Sequence, residues 1–198
     1  MGRIEHASKL DVALIQKWAS SIDGRILDVG SGPGQWTNCL REFGADVEGV
    51  DPAPEFIERA RRDYPETEYR VGDAEHLEVE EGALGGVLAW YSLIHILPSD
   101  IGRSLSEFAR AVRPGGGILL GFFTADHQSS FNHAIAAAYY WPVEMLVRRV
   151  EEAGFEVTHT ETRGEQPERM HGALTATRVS VAPSVDSEKA SVFHAETA

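Results

Sequence analysis

Residues 26–36 read Ile26-Leu27-Asp28-Val29-Gly30-Ser31-Gly32-Pro33-Gly34-Gln35-Trp36. An apolar run carries a carboxylate near its end, three glycines follow at every second position, and a helix-forming segment begins. The pattern predicts a strand that breaks into a tight turn and opens a helix. Glycine lacks a Cβ and tolerates φ > 0, so a ligand can lie directly on such a backbone. Twenty-one residues beyond Gly30, Asp51 closes a second apolar run. A carboxylate at that place accepts from both hydroxyls of a ribose. Together the two features point to an adenosine-containing ligand on a doubly wound sheet.

Outward from this stretch, strands and helices alternate. Helical spacing of Leu10, Ala13, Leu14 and Trp18 predicts an amphipathic helix over about 7–20. Strands are expected at 25–29, 46–50, 68–71, 86–94 and 118–123, and helices at 34–43, 54–63 and from a Ser99 cap through Val112. Pro142 can open a further helix that stops at Gly154. Two alternating runs, 155–162 and 174–181, suggest a hairpin at the sheet edge. The expected fold is therefore α/β: a doubly wound, seven-stranded, mostly parallel sheet with helices on both faces and an antiparallel C-terminal hairpin strand. We expect one domain over 1–182, with an N-terminal helix in 1–20, a substrate or lid segment at 124–141, and a mobile polar tail at 183–198. Ligands on such sheets bind beyond the carboxyl ends of the strands, where strand order reverses. Gly30–Gly34, Asp51, Asp73 and Trp90–His95 should converge there.

The chain carries a net charge of −13. This argues against nucleic acid, whose phosphates need a basic surface, and against an anionic membrane. The single cysteine, Cys39, excludes an internal disulfide and is expected as a buried thiol. No apolar run approaches the length of a membrane span, and no signal-peptide pattern opens the sequence, so a cytoplasmic location is expected. A small-molecule partner fits this charge best, with the protein a monomer or homodimer. The histidines show no metal-binding spacing, and no metal is expected. The acidic residues Glu75, Glu78, Glu80 and Glu81 read as a solvated surface.

A dinucleotide site wants Gly-x-Gly-x-x-Gly, and its third glycine would fall at Gln35. This chain instead has Asp28-x-Gly30-x-Gly32-x-Gly34, then Asp51, then Gly72-Asp73-Ala74. That conjunction resembles the class I S-adenosylmethionine-dependent methyltransferases. The likeness extends over about residues 10–182, through Arg113-Pro114-Gly115-Gly116-Gly117 and Glu152-Ala153-Gly154-Phe155. Residues 87–95 look like a small bacterial subgroup acting on small molecules. The resemblance implies that Asp28, Gly30, Ser31, Gly32 and Gly34 form the loop facing the methionine part of S-adenosylmethionine. It implies that Asp51 holds the ribose and that Pro52 lies near the adenine. Asp73 would accept from the adenine amine while the Ala74 N–H donates to the ring. Trp90 would form pocket wall. The product would be S-adenosylhomocysteine. Many relatives carry more chain before the first strand, so either the acceptor site is open or residues 3–18 close it.

Methyl transfer from a sulfonium mainly needs alignment and exclusion of water; a base is required only where the acceptor carries a proton. His95, just after strand four, is the first candidate base, with a packing or substrate-orienting role as its alternative. Tyr91 is the second catalytic candidate, though it can equally serve as core. Ser92, His133, Tyr140 and Trp141 are candidate acceptor-binding residues; the aromatic ones can alternatively pack their segment onto the sheet. His171, on the loop between the last two strands, can approach the same rim, with an exposed loop histidine as the favoured alternative. Two rivals remain at this level: a non-catalytic S-adenosylmethionine-binding module and an NAD-dependent oxidoreductase.

Overall fold

A computed structural model describes residues 7–133, 136–164 and 170–180. The tail expected at 183–198 lies outside the described residues. Five helices, α1 (Lys9–Ala19), α2 (Gln35–Glu42), α3 (Pro54–Asp63), α4 (Ile101–Ala111) and α5 (Val143–Glu152), accompany nine strands. These are β1 (Ile26–Val29), β2 (Val47–Asp51), β3 (Glu68–Val71), β4 (Leu84–Trp90), β5 (Val112–Thr124), β6 (Ser129–Asn132), β7 (Ala137–Tyr140), β8 (Phe155–Arg163) and β9 (Met170–Arg178). Seven of them form one sheet in the order β3-β2-β1-β4-β5-β9-β8, while β6 and β7 form a separate hairpin.

The pairings β3–β2, β2–β1, β1–β4 and β4–β5 are parallel, and β9 is antiparallel to both β5 and β8. This is the expected sheet. The C-terminal hairpin enters it so that β9 is interior and β8 is the edge. Strand order reverses between β1 and β4, which opens a crevice at their carboxyl ends.

The central strands are apolar because both of their faces are covered. Every residue of β1 and β4 is buried. On one face, Ile15 and Trp18 of α1 and Trp36 and Leu40 of α2 pack on Ile26, Leu88 and Leu119. On the other, Leu105 and Phe108 of α4 and Leu146 and Val150 of α5 pack on Val87, Ile118 and Leu120. Fully burying one such side chain contributes about 1.5–3 kcal/mol, which is why these helices hold the faces their periodicity predicts. Cys39 is buried in α2, as expected.

Three local readings change. Strand four was expected to reach Ile94, but β4 ends at Trp90: Tyr91 has φ +58°, and Leu93–His95 form a 3-10 turn. The α4 cap is Asp100 rather than Ser99. Within the 124–141 segment, without clear period in the sequence, Ser129–Asn132 and Ala137–Tyr140 pair as the antiparallel strands β6 and β7. The acidic run 75–81 stays at the surface, with Glu75 3.3 Å from Arg103 and Glu78 3.7 Å from Arg70.

Candidate active site

A cavity of about 480 Å3 occupies the crevice at the carboxyl ends of the strands. Its volume falls in the range of about 300–1,000 Å3 usual for small-ligand sites. It brings together Asp28, Gly30, Ser31, Gly32, Asp51, Pro52, Asp73, Ala74, Trp90, Tyr91, Ser92, His95 and His133. Residues from five distant stretches thus share one space, as the topology requires.

The glycine loop has a different reason for each glycine. Gly30 (φ +73°) lies where a Cβ would sit 2.1 Å from the Ser92 Cβ, so its absence lets the β1 and β4 ends touch. Gly34 (φ +86°) makes room for the Tyr69 ring, whose hydroxyl donates to the Gly34 carbonyl at 2.9 Å. Gly34 therefore locks α2 onto the sheet and does not itself line the cavity. Gly32 (φ +55°) has nothing within 4 Å of the place its Cβ would take. Its bare backbone is the part of the loop on which a ligand can rest.

Asp51 fixes this loop. Its Oδ2 accepts from the Gly32 N–H at 2.8 Å and its Oδ1 from the Ala53 N–H at 2.9 Å. A carboxylate offers about four acceptor positions, so two remain for ligand hydroxyls. Asp28 is only 2% exposed and accepts from the Thr37 hydroxyl at 2.6 Å. Burial pushes its carboxyl up to about 7; the Thr37 hydrogen bond works against this, and the Asp51 charge adds to it. Asp73 is exposed, and its Oδ1 accepts from the Glu75 N–H at 2.7 Å. Three carboxylates border the cavity, while no Lys or Arg stands among its described lining residues. With Asp28 protonated up to about pH 7, the negative charge of the lining rests on Asp51 and Asp73, and the site is electrostatically suited to a cation.

The other rim is built from rings. His95 Nδ1 lies 3.0 Å from the Ala137 carbonyl on β7. A carbonyl only accepts, so Nδ1 carries the hydrogen, and in the neutral ring Nε2 is the basic nitrogen. The His133 ring centroid is 5.1 Å from that of His95. The Tyr91 hydroxyl lies 2.7 Å from His171 Nδ1, and burial pushes its phenol up. His171 stands on β9 opposite Phe123, not on an exposed loop as the sequence suggests. Two acceptor-site candidates are not brought to the cavity. Trp141 is 1% exposed in the main core, where its backbone N–H donates to the Phe123 carbonyl at 2.8 Å. Tyr140 packs on Phe131 with ring centroids 4.3 Å apart. Apolar packing of the hairpin claims both.

Sequence reading missed Thr37, Tyr69 and the Tyr91–His171 contact. Thr37 lies nine residues past Asp28, on the inner face of α2, and that position is its only sequence signal.

Comparison with known proteins agrees with this geometry. Residues 26–116 match the methyltransferase domain family. Across 107 residues the chain is 36% identical to an uncharacterized methyltransferase of Mycobacterium tuberculosis, covering 52% of this chain and 42% of that one. Over these residues the chain is similar to class I methyltransferase domains. The matched part spans less than half the length of that relative. Solved structures share the methyltransferase fold. One is an S-adenosylmethionine-dependent methyltransferase from Methanosarcina mazei, with TM-score 0.74 at 17% identity over 84% of this chain and 97% of that one. Another is the 1,6-didemethyltoxoflavin N1-methyltransferase of Burkholderia thailandensis, solved with its substrate and S-adenosylhomocysteine. It has TM-score 0.73 at 21% identity over 87% of this chain and 78% of that one. No helix among the described residues of the methyltransferase domain is long and apolar enough to cross a membrane, and no metal-binding cluster occurs among them.

Proposed function

We propose that the protein is an S-adenosylmethionine-dependent methyltransferase that acts on a small molecule in the cytoplasm and releases S-adenosylhomocysteine. The observation that carries this reading is the single cavity in which Gly32, Asp51 and Asp73 meet Tyr91, His95 and His133. The open backbone at Gly32, the remaining acceptor positions of Asp51 and the acidic lining suit a cationic adenosyl ligand. The donor supplies a methyl group already activated by its sulfonium. In this reading Gly30, Ser31 and Gly32 flank the methionine part, Asp51 holds the ribose, Pro52 packs near the adenine, and Asp73 with Ala74 reads its edge. Trp90 walls the pocket.

Tyr91 and Ser92 orient the acceptor, His133 lines its side of the cavity, and His95 takes its proton through Nε2. The anchored Nδ1–H holds the imidazole in the tautomer a base requires. The glycine spacing, with Gln35 where a dinucleotide loop needs its third glycine, weighs against a dinucleotide. The space beyond the glycine loop, open to His95 and His133, weighs against a binding module whose acceptor cavity is filled.

Calorimetric titration with S-adenosylmethionine, S-adenosylhomocysteine and NAD tests the reading first. Micromolar binding of the two sulfur compounds without NAD is expected. A folded protein that binds neither sulfur compound removes the proposal. Transfer of radiolabelled methyl to a panel of alcohols, phenols and amines then identifies the acceptor.

A further inference from the structure

Tyr91 is held in a backbone conformation that a bulky residue avoids, with φ +58°. Such a placement costs about 1–3 kcal/mol and persists where surroundings enforce it. The turn delivers its ring against Trp90 (5.3 Å), Phe123 (4.9 Å) and His171 (5.7 Å between centroids). Tyr91 lines the cavity beside Ser92 and His95, and its hydroxyl meets His171 behind it. Burial pushes the phenol up, so it keeps its hydrogen across the neutral range. That hydrogen points either at His171 or into the cavity. A bare Nδ1 draws it away; a protonated Nδ1 donates to the oxygen and turns it toward the cavity.

We propose that His171 is a positioning residue for the methyl acceptor: its neutral Nδ1 draws the Tyr91 hydrogen away, so that the hydroxyl oxygen faces the cavity as an acceptor. This rests on the methyltransferase reading and narrows its substrate. The arrangement suits an alcohol, phenol or amine, which presents a hydrogen to Tyr91 and keeps its lone pair uncovered for the methyl group. When His171 is protonated, the Tyr91 hydrogen would instead cover that lone pair, and the site switches off in acid. The charged and titratable groups near the pair include Asp11 of α1, Arg163 and Glu161 of β8, and His133 across the Phe123 ring. Arg163 pairs with both Asp11 and Glu161, which limits its field on the histidine.

Nuclear magnetic resonance of protein labelled with 15N in its histidine rings reads which nitrogen carries hydrogen, and follows the His171 titration without any acceptor. A neutral His171 ring with a bare Nδ1 is expected. Tyr91→Phe should move its titration by about half a pH unit or more, the scale of one lost hydrogen bond. Bound S-adenosylmethionine should lower the titration by a similar amount relative to S-adenosylhomocysteine, because only the former brings a sulfonium charge nearby. A hydrogen on Nδ1 of the neutral ring overturns the proposal, as does a titration indifferent to Tyr91→Phe or to the ligand's charge. If calorimetry shows that neither ligand binds, the methyltransferase reading fails separately, and the nitrogen assignment with Tyr91→Phe still decides the pair.

Discussion

The two rims of the cavity are made of different material. Along β1, β2 and β3 the site is backbone: three glycines with positive φ, an N–H held by Asp51, and a buried carboxylate beneath. Along β4, β6 and β9 it is side chain: Tyr91, His95, His133 and His171 arrive from three separate stretches and meet ring to ring. A backbone rim is set by local turns and tolerates little change. A ring-built rim is set by long-range packing and can be refitted to another acceptor without disturbing the loop. On the proposed reading, the chain separates what the donor requires from what the acceptor requires.

The largest expected effect probes the buried carboxylate under the backbone rim. Asp28 binds a proton in the native state up to about pH 7, whereas its ordinary value is 3.8. Stability from this group is thus complete below about pH 4 and is lost as pH rises through 7. Asp28→Asn should flatten that part of the stability curve and exceed the parent at pH 8 by on the order of 3–4 kcal/mol. Urea unfolding from pH 4.5 to 8.5 measures it; parallel curves for the two proteins would show that Asp28 titrates normally.

Next comes the seam between the rims. Gly30→Ala forces a Cβ to within 2.1 Å of the Ser92 Cβ at φ +73° and should cost about 2–4 kcal/mol. Adding Ser92→Gly should recover the clash and leave about 1 kcal/mol of backbone strain. No recovery would mean that the two strand ends do not press on each other.

Asp51→Ala should weaken S-adenosylmethionine about a hundredfold, the scale of two hydrogen bonds to a charged group. Calorimetry that finds affinity within a few-fold removes the ribose assignment. The smallest effect is expected on the ring side. His95→Ala should slow turnover about tenfold to a hundredfold while sparing donor affinity. Steady-state kinetics that return parental turnover leave His95 as packing. A loss of donor binding at His95, or none at Asp51, would break the division between the rims.

The same division explains what could be read from the sequence. The backbone rim is legible because its signals are local: glycines two apart, then carboxylates at strand ends. The sheet order follows from alternation and from the short turns between elements. Tyr91 was misread as strand because apolar runs carry no record of a backbone dihedral, and its φ of +58° ends β4 four residues early. For Trp141 and Tyr140 the sequence leaves pocket and packing both open, because aromatic composition does not say which side of a hairpin faces the core. His171 is 80 residues from Tyr91, and only the antiparallel entry of β9 brings the two together.

That entry of β9 also bears on how the chain assembles during synthesis. A protein emerges from the ribosome N-terminus first, and its early segments begin folding before the late ones exist. Here the latest-made strand among the described residues is an interior one. Until Met170–Arg178 appears, β5 has no neighbour on one side, and its buried run from Ile118 to Phe123 remains an unpaired apolar edge of the kind that recruits other chains. A nascent chain can thus complete its glycine loop while still exposed to aggregation. The strand that ends this exposure is the one that carries His171 to Tyr91.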